Sequence, residues 1–183
     1  MVVNIAMCLS LEKIDSDVLE ELCQLYLEAF PEERRPLGKW LKLIDEEPMF
    51  RILTVMKNGN FVGFMTYWTF PDFTYVEHFA IKPSYRGGGL GGVALKLFLE
   101  LQEQPVVLEV ELPTTLIAQK RICFYEKYHF VRLPEPYQQP PYRSGDSWLP
   151  MAIMYYSKGW SIPEIEKIKK LLYEYVYKVK NNA

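Results

Sequence analysis

From Ile81 to Phe98 the chain reads Ile-Lys-Pro-Ser-Tyr-Arg-Gly-Gly-Gly-Leu-Gly-Gly-Val-Ala-Leu-Lys-Leu-Phe, an apolar strand end, a glycine-dense turn and an apolar helix start. Such a start leaves several N–H groups without intrahelical acceptors, and the helix dipole adds positive potential there. Glycines permit positive φ and put no Cβ in the way, so an anion can lie directly on the main chain. Arg86 adds a full positive charge at the mouth. The chemistry these residues fit is the holding of a pyrophosphate.

The remaining groups able to do chemistry lie on either side of that turn. Glu77 precedes it, and strict alternation places Glu77 on one strand face with Phe79 and Ile81, opposite His78. Glu109 and Glu111 alternate on a later apolar run and share a face. Tyr125 sits on a later helix. Cys123 has no His at a recognisable spacing and reads as a core filler, and His78 and His129 make no metal site. No metal is expected. Glu32-Glu33-Arg34-Arg35 reads as a solvated helix end or as the edge of a pocket.

These residues need elements to position them. Val2–Leu11 alternates loosely and reads as a first strand. Asp15-Ser-Asp17 can cap a helix whose apolar spacing through Leu22, Leu25, Tyr26 and Phe30 gives one buried face. A short helix follows around Lys39–Asp45. Asn58-Gly59 between the β-rich runs 51–57 and 60–70 predicts a tight hairpin. Residues 73–81 form a strand leading into the glycine turn, 91–103 a helix, and 106–111 a strand parallel to the one before the turn. Thr114 or Thr115 can cap a helix to about Tyr128, and 130–133 and 148–156 read as late strands. Residues 134–147, rich in proline and tyrosine, read as a long loop, either a lid or a surface connection. The order predicts a mixed α/β sheet in one domain over residues 1–160, not a doubly wound sheet. Ile165, Ile168, Leu172, Tyr175, Val176 and Val179 recur at helical spacing. Residues 161–183 therefore form an amphipathic helix packed on this domain or on the partner of a homodimer.

Composition removes whole classes of function. A net charge of -2 leaves no basic stripe for nucleic acid. Cys8, Cys23 and Cys123 are odd in number and widely spaced, so neither a disulfide framework nor a zinc site is expected and a reducing cytoplasm fits. No apolar run reaches membrane-spanning length, and no basic leader opens the sequence. The glycines also satisfy G-x-G-x-x-G through Gly87, Gly89 and Gly92, with Glu109 roughly 20 residues on, as in a dinucleotide-binding turn. That fingerprint belongs on the first turn of repeated βαβ units. Here four strands come first and a single such unit follows.

Arg86-Gly-Gly-Gly89-Leu-Gly91 resembles the R/Q-x-x-G-x-G/A acyl-CoA signature of the GNAT superfamily of N-acyltransferases. Its context is similar too: Glu77-His-Phe-Ala-Ile81 on the strand before it, and Phe124-Tyr125-Glu-Lys-Tyr-His-Phe130 in place of the family's F-Y-x-x-x-G-F. The resemblance covers roughly residues 5 to 157. Two departures stand out: His129 replaces a usual Gly, and Ala118 occupies the place of a frequent Asn that contacts the coenzyme.

The resemblance implies a mostly antiparallel sheet with a central, splayed parallel strand pair flanked by helices. Acetyl-CoA would lie in the splay, its pantetheine along the strand Phe79-Ala80-Ile81, its pyrophosphate on Arg86, Gly87, Gly88, Gly89, Leu90, Gly91 and Gly92. A main-chain N–H near Phe79 would face the developing oxyanion. The acceptor would be a primary amine of a small molecule or protein, attacking directly in a ternary complex. A free amine of this kind has a pKa near ~10.4 and must lose a proton first. Glu77, with a pKa raised in an apolar cleft, is the first choice of base. Glu109 or Glu111 is the alternative, Glu111 being favoured because it lies nearer the open strand end. Tyr125 would hydrogen-bond the leaving thiolate. The rivals are a non-catalytic coenzyme A module and a Rossmann-like nucleotide binder.

Overall fold

A computed structural model describes residues 7–8, 15–30 and 35–179. In chain order the elements are β1 (Met7–Cys8), α1 (Ser16–Ala29), α2 (Leu37–Glu46), β2 (Phe50–Lys57), β3 (Asn60–Thr69) and β4 (Thr74–Ile81). Then follow α3 (Leu90–Glu100), β5 (Val106–Glu111), α4 (Leu116–Lys127), β6 (Val131–Arg132), β7 (Tyr137–Gln139), β8 (Leu149–Tyr156) and α5 (Ile165–Leu171), which runs into a π-helical turn, Leu172–Val176. Most of the expected first strand and residues 31–34 lie outside the described residues. Among the described residues no helix is long and apolar enough to cross a membrane.

The strands form one mixed sheet in the order β1-β2-β3-β4-β5-β8-β6, with β7 also on β8. Asn58 and Gly59 turn β2 into β3 with φ of 51° and 78°, the positive values a twisted two-residue hairpin requires. All pairings are antiparallel except β4–β5, which is parallel over Thr74↔Val106, Tyr75↔Val107 and Val76↔Leu108 only. Helices cover both faces. On one, α1, α2, α5 and the π turn bury Leu22, Tyr26, Trp40, Ile168 and Leu172 against Phe64, Trp68 and Ile153. On the other, α3 and α4 bury Leu95, Phe98, Ile122 and Tyr125 against Met65, Val76, Leu108 and Val110.

The 134–147 segment is not a plain loop. Its Tyr137–Gln139 stretch pairs with Leu149–Met151 of β8, a strand too short to show a periodic pattern. Of the two threonines offered as caps for α4, Thr115 does so, its Oγ1 accepting the Ala118 N–H at 3.1 Å. Asp15 occupies the N-cap of α1, but its side chain accepts from the Ser16 hydroxyl at 3.3 Å and makes no cap bond to the helix main chain.

The end of α4 explains the spacing of Tyr125, His129 and Phe130. The Phe130 N–H bonds the Tyr125 carbonyl at 3.1 Å, the His129 N–H bonds Glu126 at 2.9 Å, and His129 takes the left-handed conformation, φ 66°. This is a Schellman C-cap, completed by the Tyr125–Phe130 ring contact at 5.4 Å. Glycine suits the position His129 holds, because a Cβ costs roughly 1 kcal/mol or more there. His129→Gly is therefore expected to stabilise the fold by about 1 kcal/mol, a rise in Tm of about 2–4 °C for a chain of this size, read by thermal unfolding.

Candidate active site

Beyond the Val76–Leu108 pair β4 and β5 part, and a cavity of about 400 Å³ opens between them. The Lys82 N–H bonds Val62 on β3 at 2.9 Å, so by alternation the main-chain groups of Phe79 and Ile81 face the opening and those of Ala80 face β3. The edge of β4 is thus open to an added strand-like ligand. One acceptor on it is used: Arg86 Nε donates to the Ile81 carbonyl at 2.8 Å, which anchors Arg86 where it lines the cavity.

The glycine turn follows Arg86, which lines the cavity. Gly87 and Gly89 have φ of 84° and 78°, and the first main-chain bond of α3 runs from Val93 N–H to Gly89 at 3.2 Å. A Cβ on Gly87, Gly88 or Gly89 would meet nothing within 4 Å, so their outer side is open. Gly92 differs. A Cβ there would lie 1.7 Å from the Tyr128 hydroxyl, so this glycine lets α4 approach α3.

A β-bulge changes the carboxylate geometry. Thr66 pairs with His78 and Tyr67 with Val76, leaving Glu77 without a partner on β3. The extra residue turns both Glu77 and His78 to the α1 side. His78 bonds Thr66 there and packs edge-on against Tyr26 and Phe30, while Phe79 points to the α4 side against Phe124. The expected sharing of a face by Glu77, Phe79 and Ile81 is therefore overturned.

Glu77 does not sit in an apolar niche either. Its Oε1 accepts from Arg35 Nη2 at 2.9 Å and from the Tyr142 hydroxyl at 3.0 Å, and its Oε2 from the Trp68 indole at 2.6 Å. Its side chain is 0% exposed. Burial works to raise its pKa, but Arg35, His78 and the indole N–H outweigh burial and hold the carboxyl below its usual range. The expected raised pKa is corrected to a lowered one. Arg35, read from sequence as part of a solvated end, is buried, donates to the Val176 carbonyl at 2.8 Å, and stacks over Tyr142 at 4.7 Å.

The other two carboxylates exchange their expected standing. Glu111 is exposed and paired with Arg121 at 3.0 Å. Glu109 is enclosed: it accepts from Tyr75 at 2.8 Å, from Tyr177 at 2.5 Å, and from Tyr137 and Gln139. Burial raises its pKa, and these four neutral donors offset the rise only in part. Tyr125 is buried at the α4 side of the cavity, its pKa pushed up to about 12 by burial, with Arg121 opposing. Cys123 is exposed, not a core filler. Among the described residues no group of His, Cys, Asp or Glu could hold a metal.

Sequence reading missed Trp68, Tyr75, Tyr137, Gln139, Tyr142 and Tyr177, which with Arg35 surround the two inner carboxylates. Their traces are the tyrosine-rich 134–147 segment and, for Arg35, a charged run offered as a solvated end or a pocket edge; the rest converge from elements far apart in the chain.

A splayed parallel pair with a glycine nest at its end is an acyl-coenzyme A fold, and the comparisons agree. The family model described as Acetyltransferase (GNAT) family matches residues 18–130. A structure from Bacteroides thetaiotaomicron placed in the GNAT family of acetyltransferases is 38% identical, with 90% of this chain and 96% of that one covered and a TM-score of 0.84. Arabidopsis thaliana Naa50, solved with the bisubstrate analogue CoA-Ac-MVNAL, is 18% identical with a TM-score of 0.61, covering 85% of this chain and 99% of that one; the likeness there is one of fold. A Bacillus subtilis protein named for N-acetylation of the alanine of ribosomal protein bS18 is 26% identical over 83 residues, 45% of this chain and 55% of its own length. The match thus spans about half of that curated relative. This chain belongs to the GNAT acetyltransferase family, whose cosubstrate is acetyl-CoA.

Two outcomes follow from the buried charges. Glu77→Gln leaves the Arg35 guanidinium buried without its counter-ion and is expected to destabilise the fold by about 3–5 kcal/mol, measured by urea unfolding. His78, its pKa lowered to about 4 by burial, stays neutral in the native state while the unfolded chain takes up a proton near pH ~6.5. Below that pH the unfolded chain binds more protons, so stability is lost as pH falls from about 6.5 towards 4. The urea midpoint at pH 5 should lie below that at pH 7, and His78→Gln should shrink the difference.

Proposed function

We propose that this chain is an acetyl-CoA-dependent N-acetyltransferase that moves the acetyl group to a primary amine by direct attack in a ternary complex. The observation carrying this reading is the cavity at the end of the short parallel ladder, lined by Arg86 next to the glycine turn and by the carboxylates Glu77 and Glu109. Pantetheine lies along Phe79, Ala80 and Ile81. The pyrophosphate rests on the N–H groups of Gly87, Gly88, Gly89, Leu90 and Gly91 beside Arg86, with Gly92 permitting the helix packing behind them. A main-chain N–H at Phe79 meets the oxyanion.

For proton removal we assign Glu109. Glu77 is sealed by Arg35, Trp68 and Tyr142 and holds a lowered pKa, so it shapes the site without reaching the amine. Glu111 at the rim is neutralised by Arg121. Glu109 lines the cavity as Glu77 does, but among the described residues it has no ion-pair partner, and its pKa is raised by burial, so an entering ammonium finds there both a counter-charge and a proton acceptor. Tyr125, with a pKa near 12, is too weak to protonate a thiolate of pKa ~8.5: full transfer is uphill by roughly 5 kcal/mol, so its service is a hydrogen bond to the leaving sulfur. The names of the B. subtilis relative and of the Naa50 complex make a protein or peptide α-amine the first acceptor to try. The cysteine usage fits work in a reducing cytoplasm.

The experiment is a thiol-release assay with acetyl-CoA against N-terminal peptides, amino acids and small amines. Acceptor-dependent release of coenzyme A is expected, with Glu109→Gln lowering kcat/KM by ~10²–10⁴ and leaving acetyl-CoA affinity intact. Tight acetyl-CoA binding with no release for any acceptor would instead mark a non-catalytic coenzyme A module.

A further inference from the structure

We infer that the end of the C-terminal turn, Val176–Tyr177, is a working part of the acceptor site: Tyr177 is a positioning residue that fixes the Glu109 carboxylate, and the neighbouring Val176 carbonyl fixes Arg35 against Glu77. The inference rests on Glu109 being the base. It concerns a segment that lies wholly outside the residues 18–130 matched by the family model.

Backbone geometry delivers these groups. The Tyr177 N–H bonds Leu172 five residues back at 3.0 Å, and the Val179 N–H bonds Tyr173 at 2.8 Å. Lys178 then takes a left-handed φ of 54°. Widened turns and left-handed non-glycine residues are unfavourable locally and collect at functional sites. Here they end the helical turn at Tyr177, beside the Val176 carbonyl. That carbonyl accepts from Arg35 Nη2 at 2.8 Å.

Packing alone does not require the Tyr177 hydroxyl. Ile168, Leu172 and Val176 are each 0% exposed at four-residue spacing and suffice to seat the segment. A phenylalanine would fill the space of the Tyr177 ring. The hydroxyl instead meets four polar partners: Glu109 Oε2 at 2.5 Å, Gln139 Nε2 at 2.8 Å, Tyr75 Oη at 3.3 Å and Tyr142 Oη at 3.5 Å.

Counting protons shows what that arrangement does. Tyr75, Tyr137 and Tyr177 each give their single proton to Glu109. Gln139 gives one proton to Glu109 and its other to Tyr177, and Tyr142 gives its proton to Glu77. Tyr75, Tyr177 and Gln139 converge on Oε2 and Tyr137 alone meets Oε1, so three donors share the two lone pairs of Oε2 while Oε1 keeps one site for an incoming proton. Once Oε1 takes a proton from the acceptor ammonium, Oε2 becomes a neutral carbonyl oxygen and holds its three donors less strongly. Tyr177 has two further hydroxyl oxygens beside it, Tyr75 Oη and Tyr142 Oη, towards which its proton can rotate, whereas Tyr75 has that of Tyr177. Arg35 and Glu77 are joined to this cluster through Tyr142, and Glu111 on the same strand is held at the rim by Arg121.

The test is the pH profile of kcat/KM for the full chain, using the best acceptor from the thiol-release panel. Tyr177→Phe removes one donor to the ionised carboxylate. Its acidic limb should move to higher pH by about one pH unit, with activity on that limb falling about tenfold and acetyl-CoA affinity unchanged. Replacing Tyr177 with 3,5-difluorotyrosine keeps the hydroxyl and makes it a stronger donor, so the limb should move the other way; this variant serves even if Tyr177→Phe folds poorly. Tyr173→Phe, on the same segment but bonded to the Gln138 carbonyl, should leave the limb in place. A limb unmoved in both Tyr177 variants, while Glu109→Gln is inactive, overturns the inference alone. Wild-type activity in Glu109→Gln overturns the choice of base and the inference with it.

Discussion

The parallel ladder between β4 and β5 stops after three residue pairs, and the chemistry of this chain depends on that stop. Had the strands remained paired to their ends, the main-chain groups of Phe79 and Ile81 would be bonded to β5 and no ligand could add to that edge. The bulge at Glu77 sits one residue past the last pair. Bulges bend and over-twist the strand that carries them, so the extra residue turns β4 away from β5 at the point where the cavity begins. The same residue shifts the alternation after it, so that Glu77 stays with Tyr75 on the α1 side while Phe79 falls on the opposite face.

That shift has an electrostatic consequence. A carboxylate and a guanidinium buried together gain little net stability, because desolvation offsets most of their attraction. Their value here is orientation. Arg35 ties Glu77 on β4 to the Val176 carbonyl of the C-terminal turn, and Tyr142 of the 134–147 segment lies against both charges. Three segments remote in sequence are thereby fixed to one another around Glu109, which among the described residues has no ion-pair partner. One inner acid is spent on structure, and the other keeps an unbalanced charge facing the cavity.

Legibility in the sequence followed the range of the forces involved. The Asn58-Gly59 hairpin, the strand over Val106–Glu111 and the glycine nest depend on residues within a few positions of each other, and all were readable from local pattern. The Schellman cap that seats Tyr125 was visible as a spacing, although its reason, a left-handed residue at His129, needed coordinates. The bulge was not visible. Nothing in Tyr75-Val-Glu-His-Phe79 distinguishes strict alternation from alternation with one residue inserted, so the face and the titration of Glu77 both came out reversed. The contacts of Arg35, Tyr142 and Tyr177 were beyond reach for a related reason: these residues meet only because the sheet brings together positions separated by 42, 65 and 68 residues from the carboxylates they touch.

The two halves of the cavity therefore differ in kind. The coenzyme half is made of main-chain groups, whose geometry any sequence with the right glycines reproduces. The acceptor half is made of side chains from β4, β5, β7 and the C-terminal turn, where a single hydroxyl decides a hydrogen bond. A main-chain site suits a ligand shared across a family, since few substitutions can alter it. A side-chain site suits an acceptor that differs between members, since each wall can change without disturbing the nest. Residues 131–179, beyond the family match, provide β7, Tyr142 and Tyr177, so on the proposed reading acceptor choice draws on this part of the chain.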